Sequence, residues 1–266
     1  MLSCTGRKVA DPVTEETVNA DTTVQDTVEV DSLEMLVTDT PMPKAADELF
    51  DDFIFNFAAN RKLQMERICF PLPVTRNGQT KNVSKSEWKY ERFFMHQDYY
   101  TVLFDSEKQM KLANDTSVSK AVVEKIYFNT GAVIQYTFNR VNGAWLLVSV
   151  KTDPISINRN ASFLEFYHHF VTDSVFQAES LHETVQFSGP DPDDDFAQME
   201  GMITADSWPA FAPELPEKMI YNIIYGEATK PTNRMIFIMR GIANGFEMMM
   251  TFKHDDDRWV LTKLNM

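Results

Sequence analysis

An internal repeat limits how this chain can fold more than any other feature of its sequence. The segment ELFDDFIFNF at 48–57 resembles ASFLEFYHHF at 161–170, with three phenylalanines at matching positions. Farther along each repeat, AVIQYTFNRVNGAWLLVSV at 132–150 aligns with GFEMMMTFKHDDDRWVLTKL at 245–264. A chain with two such copies is expected to fold into two similar units.

The four tryptophans of the chain also fall into matched pairs. Trp145 aligns with Trp259 at the start of the last predicted strand of each repeat, and Trp88 aligns more loosely with Trp208. A single non-repetitive domain has no reason to show this pairing. The tryptophans therefore support the repeat.

Each repeat begins with an amphipathic helix. Its phenylalanines are spaced by three and then four residues, which places them on one helical face. The two sets are Phe50, Phe53 and Phe57 in the first repeat, and Phe163, Phe166 and Phe170 in the second. Seven residues beyond the two helices stand Gln64 and Gln177, which extend the match.

Each repeat ends in several predicted strands. In the third strand of each set apolar residues alternate, which is typical of a strand with one buried face. Short polar connections such as Asn142-Gly143 predict hairpins, and a hairpin pairs its strands antiparallel. The predicted strands are 99–104, 121–128, 132–138 and 145–150 in the first repeat, and 219–227, 234–241, 245–252 and 258–264 in the second.

From this order of elements we predict an α+β fold of two tandem cone-like domains, each an N-terminal helix packed on a curved antiparallel sheet. The first domain is predicted at 44–153 and the second at 157–266. Residues 1–10 are predicted to be a lipoprotein signal remnant and anchor, and residues 11–43 a disordered acidic tether.

Two separate domains imply two separate cores. On this basis 44–153 is expected to fold alone, and Trp259→Ala is expected to unfold the second half first. Trp145 and Trp259 are expected to pack on the helix of their own domain, beside Phe57 and Phe170 respectively.

The acidic charge is concentrated near the N-terminus. Residues 11–40 contain nine acidic residues and neither Lys nor Arg, in a chain whose formal net charge is −14. Such a segment has too little apolar surface to offset the entropy of ordering, so it is predicted to be extended. Because phosphate binding needs clustered basic residues, the composition also argues against a nucleic-acid partner.

The first residues, Met1-Leu2-Ser3-Cys4, resemble the cleavage end of a bacterial lipoprotein signal, in which a small residue precedes the lipidated cysteine. The resemblance implies a lipid on Cys4, the membrane as a partner, and a location on the outer membrane facing the periplasm. The basic and apolar parts of such a signal are then expected upstream of Met1. The alternative is a cytosolic start with an unrelated cysteine at position 4.

A helix followed by a long antiparallel meander with aromatic strand centres resembles the nuclear-transport-factor-2-like cone. That family includes ketosteroid-isomerase-like enzymes and many binding domains. The segments LQMERICFPLP at 63–73 and FQAESLHETVQF at 176–187 resemble the repeated signature of an uncharacterised family of Bacteroides-type lipoproteins. This resemblance implies the fold and the location, and it implies no activity.

Motifs for chemistry are scarce. The sequence has no Gly-rich phosphate loop, nucleophile elbow or zinc-protease motif, and we predict no catalytic, cofactor-binding or metal-ligating residue. His168-His169 is interpreted as a pair of rim histidines, since neighbouring helical positions point in different directions. The aspartates of 191–195 match part of a calcium loop, but Phe196 stands where Gly is required, so a solvated acidic loop is favoured.

A methionine-rich strand and a possible acid–phenol pair also bear on function. Met248-Met249-Met250 lies on a predicted strand, and core packing is favoured over an apolar ligand pocket. A ketosteroid-isomerase-like reaction needs an acid and a phenol that converge. The candidates considered, Glu247 and Tyr136, lie in different repeats.

The leading hypothesis is a non-catalytic cell-envelope lipoprotein that binds a protein partner or an apolar small molecule and uses no cofactor. The alternative is an enzyme with a ketosteroid-isomerase-like active site in one cone. A third hypothesis, a cytosolic scaffold, depends on the cytosolic start. An enzyme requires at least two titratable groups that converge in a cavity, so the content of each cone separates the first two hypotheses.

Overall fold

The computed structural model of the chain describes residues 47–191, 194–227 and 232–266. The predicted anchor and tether, 1–43, lie outside them. The described α-helices are α1 (Phe50–Ala59), α2 (Arg61–Glu66), α3 (Glu107–Leu112), α4 (Ala161–Thr172) and α5 (Ser174–Glu179). The described strands are β1 (Leu72–Arg76), β2 (Gln79–Val83), β3 (Tyr99–Phe104), β4 (Lys120–Tyr127), β5 (Ala132–Val141), β6 (Ala144–Pro154), β7 (Leu181–Asp191), β8 (Asp194–Ile203), β9 (Met219–Tyr225), β10 (Arg234–Gly241), β11 (Glu247–Asp255) and β12 (Arg258–Asn265). Short 3₁₀ helices lie at Phe93–His96, Ile155–Ile157 and Trp208–Ala210.

The strands form two six-stranded sheets. The first sheet has the order β2-β1-β6-β5-β4-β9, and the second has the order β3-β10-β11-β12-β7-β8. When the two orders are compared from opposite ends, they match strand for strand, with β2 equivalent to β8 and β9 equivalent to β3. The α+β fold with two similar sheets is therefore confirmed.

One strand of each half lies in the sheet of the other half. β9 pairs antiparallel with β4, placing Ile223 opposite Val123, and β3 pairs antiparallel with β10, placing Val102 opposite Ile238. The expectation that each half forms a sheet only from its own strands is wrong for β3 and β9. The physical reason is that both strands are buried along nearly their whole length, which requires packing on both faces.

Each sheet also contains one parallel pair, although wholly antiparallel sheets were expected. β1 runs parallel to β6, with Val74 beside Val150, and β7 runs parallel to β12, with Phe187 beside Leu264. The hairpin rule applies only to strands joined by a short connection. Here the paired strands are joined through the intervening strands of the same half, so the chain is long enough for parallel pairing.

The predicted hairpin between β5 and β6 turns at Asn142-Gly143. Both residues have left-handed backbone angles, with φ of 53° at Asn142 and 83° at Gly143. A two-residue turn of this kind needs positive φ at both positions, which Asn and Gly tolerate best. The turn thereby fixes the register that places Trp145 at the start of β6.

The phenylalanines of each helix pack on the sheet as expected, but each tryptophan contacts the first phenylalanine and not the last. The ring centroids of Phe50 and Trp145 are 4.9 Å apart, and those of Phe163 and Trp259 are 5.2 Å apart. The last phenylalanines lie over the strand next to the tryptophan instead. Phe57 lies 5.3 Å from Phe138, and Phe170 lies 5.4 Å from Phe252. Each helix thus packs across both strands of the final hairpin of its half.

The repeat extends to side-chain hydrogen bonds. Trp88 Nε1 donates to Gln64 Oε1 at 2.9 Å, and Trp208 Nε1 donates to Gln177 Oε1 at 2.8 Å. Each glutamine also donates through Nε2 to a backbone oxygen of the preceding helix, at Phe57 in α1 or Phe170 in α4. The loose alignment of Trp88 with Trp208 is therefore a structural equivalence.

The cores of the two halves continue into the opposite sheet. The core around α1 includes Ile236 and Ile238 from β10, whereas the core around α4 includes Ile126 from β4 and Ile220 from β9. Each helix thus packs against its own sheet, and the core beneath it also contains side chains from one face of the other sheet. The boundaries at 44–153 and 157–266 remain predictions. Two hydrophobic cores are present, but each of them includes strand residues from the other half.

Candidate functional site

A polar cluster lies at one end of the first core, where the 3₁₀ helix at Phe93–His96 meets β4 and β5. Glu91 Oε1 accepts hydrogen bonds from Phe93 N at 2.9 Å and from Lys125 Nζ at 3.1 Å. Glu91 Oε2 accepts from Tyr136 Oη at 3.0 Å. Tyr136 therefore does meet an acid, and this acid is Glu91, which the sequence analysis did not identify.

The electrostatics of this cluster keep its phenols protonated. Burial, followed by the charge of Glu91, raises the pKa of Tyr136 far above its ordinary range, and burial also raises the pKa of Tyr221. The ammonium group of Lys125 lies 5.9 Å from the centre of the Tyr221 ring. Both oxygens of Glu91 accept hydrogen bonds from within this cluster.

The same positions in the second half carry no such cluster. In the alignment of the repeats, Lys125 corresponds to Met239 and Tyr136 corresponds to Met250. Both methionines are buried in the core around α4. Met248 is also fully buried, which places most of the predicted methionine strand in the core and agrees with core packing.

Glu247, the acid named in the sequence analysis, is exposed and pairs with a base of its own half. Arg240 Nε donates to Glu247 Oε2 at 2.6 Å. Near Arg240, Tyr225 Oη hydrogen-bonds Asp51 Oδ1, joining β9 to helix α1. Burial raises the pKa of Asp51, although the Tyr225 hydrogen bond and the charge of Arg240 oppose the shift. Glu247 and Tyr136 are therefore not brought together.

A buried carboxyl group links the two sheets, and no spacing in the sequence indicated it. Glu124 on β4 is 0% exposed. It accepts from Gln135 Nε2 at 2.8 Å, Asn158 Nδ2 at 2.9 Å and Asn222 Nδ2 at 2.8 Å. Asn222 Oδ1 in turn accepts from Leu103 N on β3 at 3.0 Å. This network joins the two exchanged strands, so its role is structural.

A cavity of about 260 Å³ lies where the two halves meet at the start of helix α4, and we call it the junction cavity. Its apolar lining consists of Phe163, Met235 and Trp259. Asp105, Arg159, Ser162 and His254 are among its polar lining residues. Such a combination of apolar surface and a few polar groups is typical of sites for small organic molecules.

The polar groups of the junction cavity are held in place by their neighbours. Arg159 donates from Nη2 to Asp105 Oδ2 at 2.9 Å, and both side chains are largely buried. Trp259 Nε1 donates to Ser162 Oγ at 3.1 Å, and the ring of His254 lies 5.0 Å from the Trp259 ring. The lining residues come from five separate segments of the chain, which explains why no sequence motif revealed the cavity.

The histidine doublet lies away from the junction cavity. His168 stacks on Phe128 with ring centroids 5.2 Å apart, and the exposed His169 lies 5.6 Å from Phe176. Among the described residues no three His, Cys, Asp or Glu side chains are grouped so that they could hold a metal ion. Part of the predicted acidic loop, 192–193, lies outside the described residues, as does Cys4. None of the described helices is both long enough and apolar enough to cross a bilayer.

Comparison with known proteins identifies relatives of this fold. A crystal structure of a nuclear-transport-factor-2-like protein from Bacteroides fragilis matches with a TM-score of 0.75 and 40% sequence identity. The match covers 85% of this chain and 98% of that chain. No curated protein matches. The family model described as "Domain of unknown function (DUF4348)" matches residues 29–266, and the chain therefore belongs to this family.

Proposed function

We propose that this protein is a non-catalytic binding protein of the bacterial cell envelope, and that its junction cavity binds a small molecule with an apolar body and a polar end. The observation that carries the proposal is the lining of the cavity. Phe163, Met235 and Trp259 offer apolar surface, while Arg159 and His254 offer hydrogen bonds at one side. The apolar part would contribute most of the affinity and the polar groups would fix the orientation.

The content of the first cone supports binding over catalysis. A ketosteroid-isomerase-like reaction needs a base and a hydrogen-bond donor that face the substrate. The contact between Glu91 and Tyr136 at 3.0 Å is the observation that favours this alternative. Against it, the hydroxyl of Tyr136 already donates its hydrogen bond to Glu91 Oε2, and Lys125 donates to Oε1. The substrate would have to displace one of these partners.

We predict that anilinonaphthalene sulfonate, which has an aromatic body and an anionic end, binds the folded chain at one site. Ser162, which lines the cavity, is exposed, and Ser162→Trp would fill the opening. This variant should weaken binding of the probe by about tenfold or more, because the aromatic part of the probe then buries much less apolar surface in the cavity. Fluorescence titration measures the effect.

The matched control is Asn82→Trp, which places the same side chain on the exposed strand β2. It should bind the probe as the wild type does. Equal affinity of all three proteins would show that the junction cavity is not the binding site.

We further propose that a lipid on Cys4 attaches the protein to the outer membrane, facing the periplasm. The sequence Ser3-Cys4 and the acidic segment 11–40, which would serve as a spacer, support this location. The organism of the matched structure, Bacteroides fragilis, agrees with a bacterial envelope. A lipoprotein cysteine carries more than one acyl chain, which suffices for stable anchoring.

Labelling with radioactive palmitate in bacteria that express the full gene tests the anchor. We expect label on the wild type and on Cys69→Ala, which changes the other cysteine of the chain. Cys4→Ala should carry no label and should leave the membrane fraction. A wild type that remains unlabelled in the soluble fraction would contradict the proposal.

A further inference from the structure

The second sheet has a face that helix α4 does not cover, and this face carries a cavity of about 530 Å³. Strands β7, β8, β10, β11 and β12 contribute to its lining. The cavity is larger than the junction cavity and lies on a different side of the sheet. We call it the basic groove because of the side chains described next.

Four neighbouring strands each contribute one basic side chain to the groove: Arg234 on β10, Lys253 on β11, Lys263 on β12 and His182 on β7. Arg234 and Lys253 are directly opposite each other in the sheet. Because adjacent strands lie about 4.8 Å apart, the four bases extend over about 14 Å across the strands. No carboxylate belongs to the described lining of this groove, although the chain has a net charge of −14.

The equivalent face of the first sheet shows that this charge is not a general property of the fold. A cavity of about 360 Å³ there is lined by Lys120 and Lys151, but also by Glu227 and Asp153. Lys120 Nζ lies 3.0 Å from a carboxylate oxygen of Glu227, and Lys151 Nζ lies 2.7 Å from one of Asp153. In the repeat, Lys120 corresponds to Arg234. The first sheet thus pairs its bases with carboxylates of the cavity lining, whereas the carboxylates that pair with Arg234 and Lys253 lie outside the lining of the groove.

The bases of the groove can turn toward a ligand at little cost. Arg234 lies 3.5 Å from Glu107 and Lys253 lies 3.3 Å from Asp255, and these two carboxylates are 73% and 55% exposed. Exposed ion pairs of this kind contribute little stability, because water competes for both partners. An anion held between two or more bases in a concave site would take the place of these exposed carboxylates.

We propose that the basic groove binds a short anionic saccharide, whose carboxylate or phosphate groups pair with the row of bases. Thr184 and Gln186 are exposed beside the bases and offer neutral hydrogen-bonding groups to sugar hydroxyls. Phe252 is the aromatic residue of the described lining, and it is fully buried and cannot stack on a nucleobase. The acidic net charge further disfavours a long polyanion such as nucleic acid.

Calorimetric titration of the full chain with tetragalacturonate tests the proposal. We expect binding that weakens as salt is added, since exposed charge pairs are screened. The double variant Lys253→Gln, Lys263→Gln should bind about tenfold more weakly or worse, because hydrogen bonds to charged groups contribute about that factor each. Circular dichroism of the variant checks that it remains folded.

The matched control is Lys120→Gln, Lys151→Gln, which removes two bases from the equivalent face of the first sheet and should leave the affinity unchanged. Neutral maltotetraose should not bind. An equal loss in both double variants would overturn the assignment of the groove. Equal binding of maltotetraose or of inorganic phosphate would overturn the assignment of the ligand, as would tighter binding of an oligothymidine.

Discussion

Trp145→Ala and Trp259→Ala are each expected to lower the free energy of unfolding by about 3–5 kcal/mol, the usual cost of deleting a buried aromatic side chain. Trp145 is 0% exposed and Trp259 is 7% exposed, and each packs on the first phenylalanine of its helix. We expect both variants to shift one common transition. The reason is that β3 and β9 each complete the sheet of the other half, so neither core survives alone.

Urea unfolding followed by hydrogen–deuterium exchange of peptides from each half distinguishes this result from the sequence-based expectation. Trp145→Phe and Trp259→Phe are the matched controls, since they keep an aromatic ring in place and should lose less stability. Two separate transitions, of which each alanine variant shifts only one, would show that the halves unfold independently. The fragment 44–153 would then also fold alone, whereas the observed pairing of β4 with β9 predicts that it does not.

Replacing Glu124 by Ile is expected to lower the free energy of unfolding by about 2–4 kcal/mol. The reason is that a buried amide N–H group would then have neither water nor a protein acceptor in the folded state. Ile238 occupies the corresponding position of the second repeat, so the new side chain is one that the fold already accepts there. The group left unpaired is Nδ2 of Asn222, which is 1% exposed. Gln135 and Asn158 are only half-buried and can turn to water.

Thermal and urea unfolding measure this effect, and two variants act as controls. Glu124→Gln keeps the shape and one acceptor oxygen, so it should lose less stability than Glu124→Ile. Glu124→Ile combined with Asn222→Leu removes both partners and should recover part of the loss, since a pair of apolar groups leaves no unpaired amide at this position. A stable Glu124→Ile variant would mean that the network does not hold the sheets together.

The helices and most strands could be predicted because their signals are local. The phenylalanine spacing marked helices α1 and α4, and the alternation in β5 and β11 marked strands with one buried face. The repeat supported each of these assignments a second time, since residues such as Trp145 and Trp259 occupy equivalent positions in the two halves. These patterns depend on residues that lie close to one another in the sequence.

The exchange of β3 and β9 could not be predicted from hairpin lengths, because it joins segments that are far apart. Thr101 on β3 and Tyr221 on β9 hydrogen-bond each other across 120 residues. One local signal does indicate a strand covered on both faces. Residues 235–239 of β10 are five consecutive apolar residues, all buried, and such a run indicates a strand covered on both faces.

The polar sites escaped prediction for the same reason. Glu91 and Tyr136 are 45 residues apart, and no spacing rule connects them. The composition gave no indication of the basic groove, because the net charge of an acidic chain does not show where its few basic residues cluster. Arg234, Lys253 and Lys263 lie on three different strands, and only the order and register of these strands bring them to one face of the sheet.

The exchanged strands also govern when the protein can fold during its synthesis. The first sheet receives its last strand only when residues 219–225 have left the ribosome, so a nascent chain that ends after β6 presents an unpaired edge at β4. Contacts between segments so far apart in sequence also form slowly. The nascent chain therefore keeps this edge open until most of its residues have been synthesised, and the fold closes only near the end of translation.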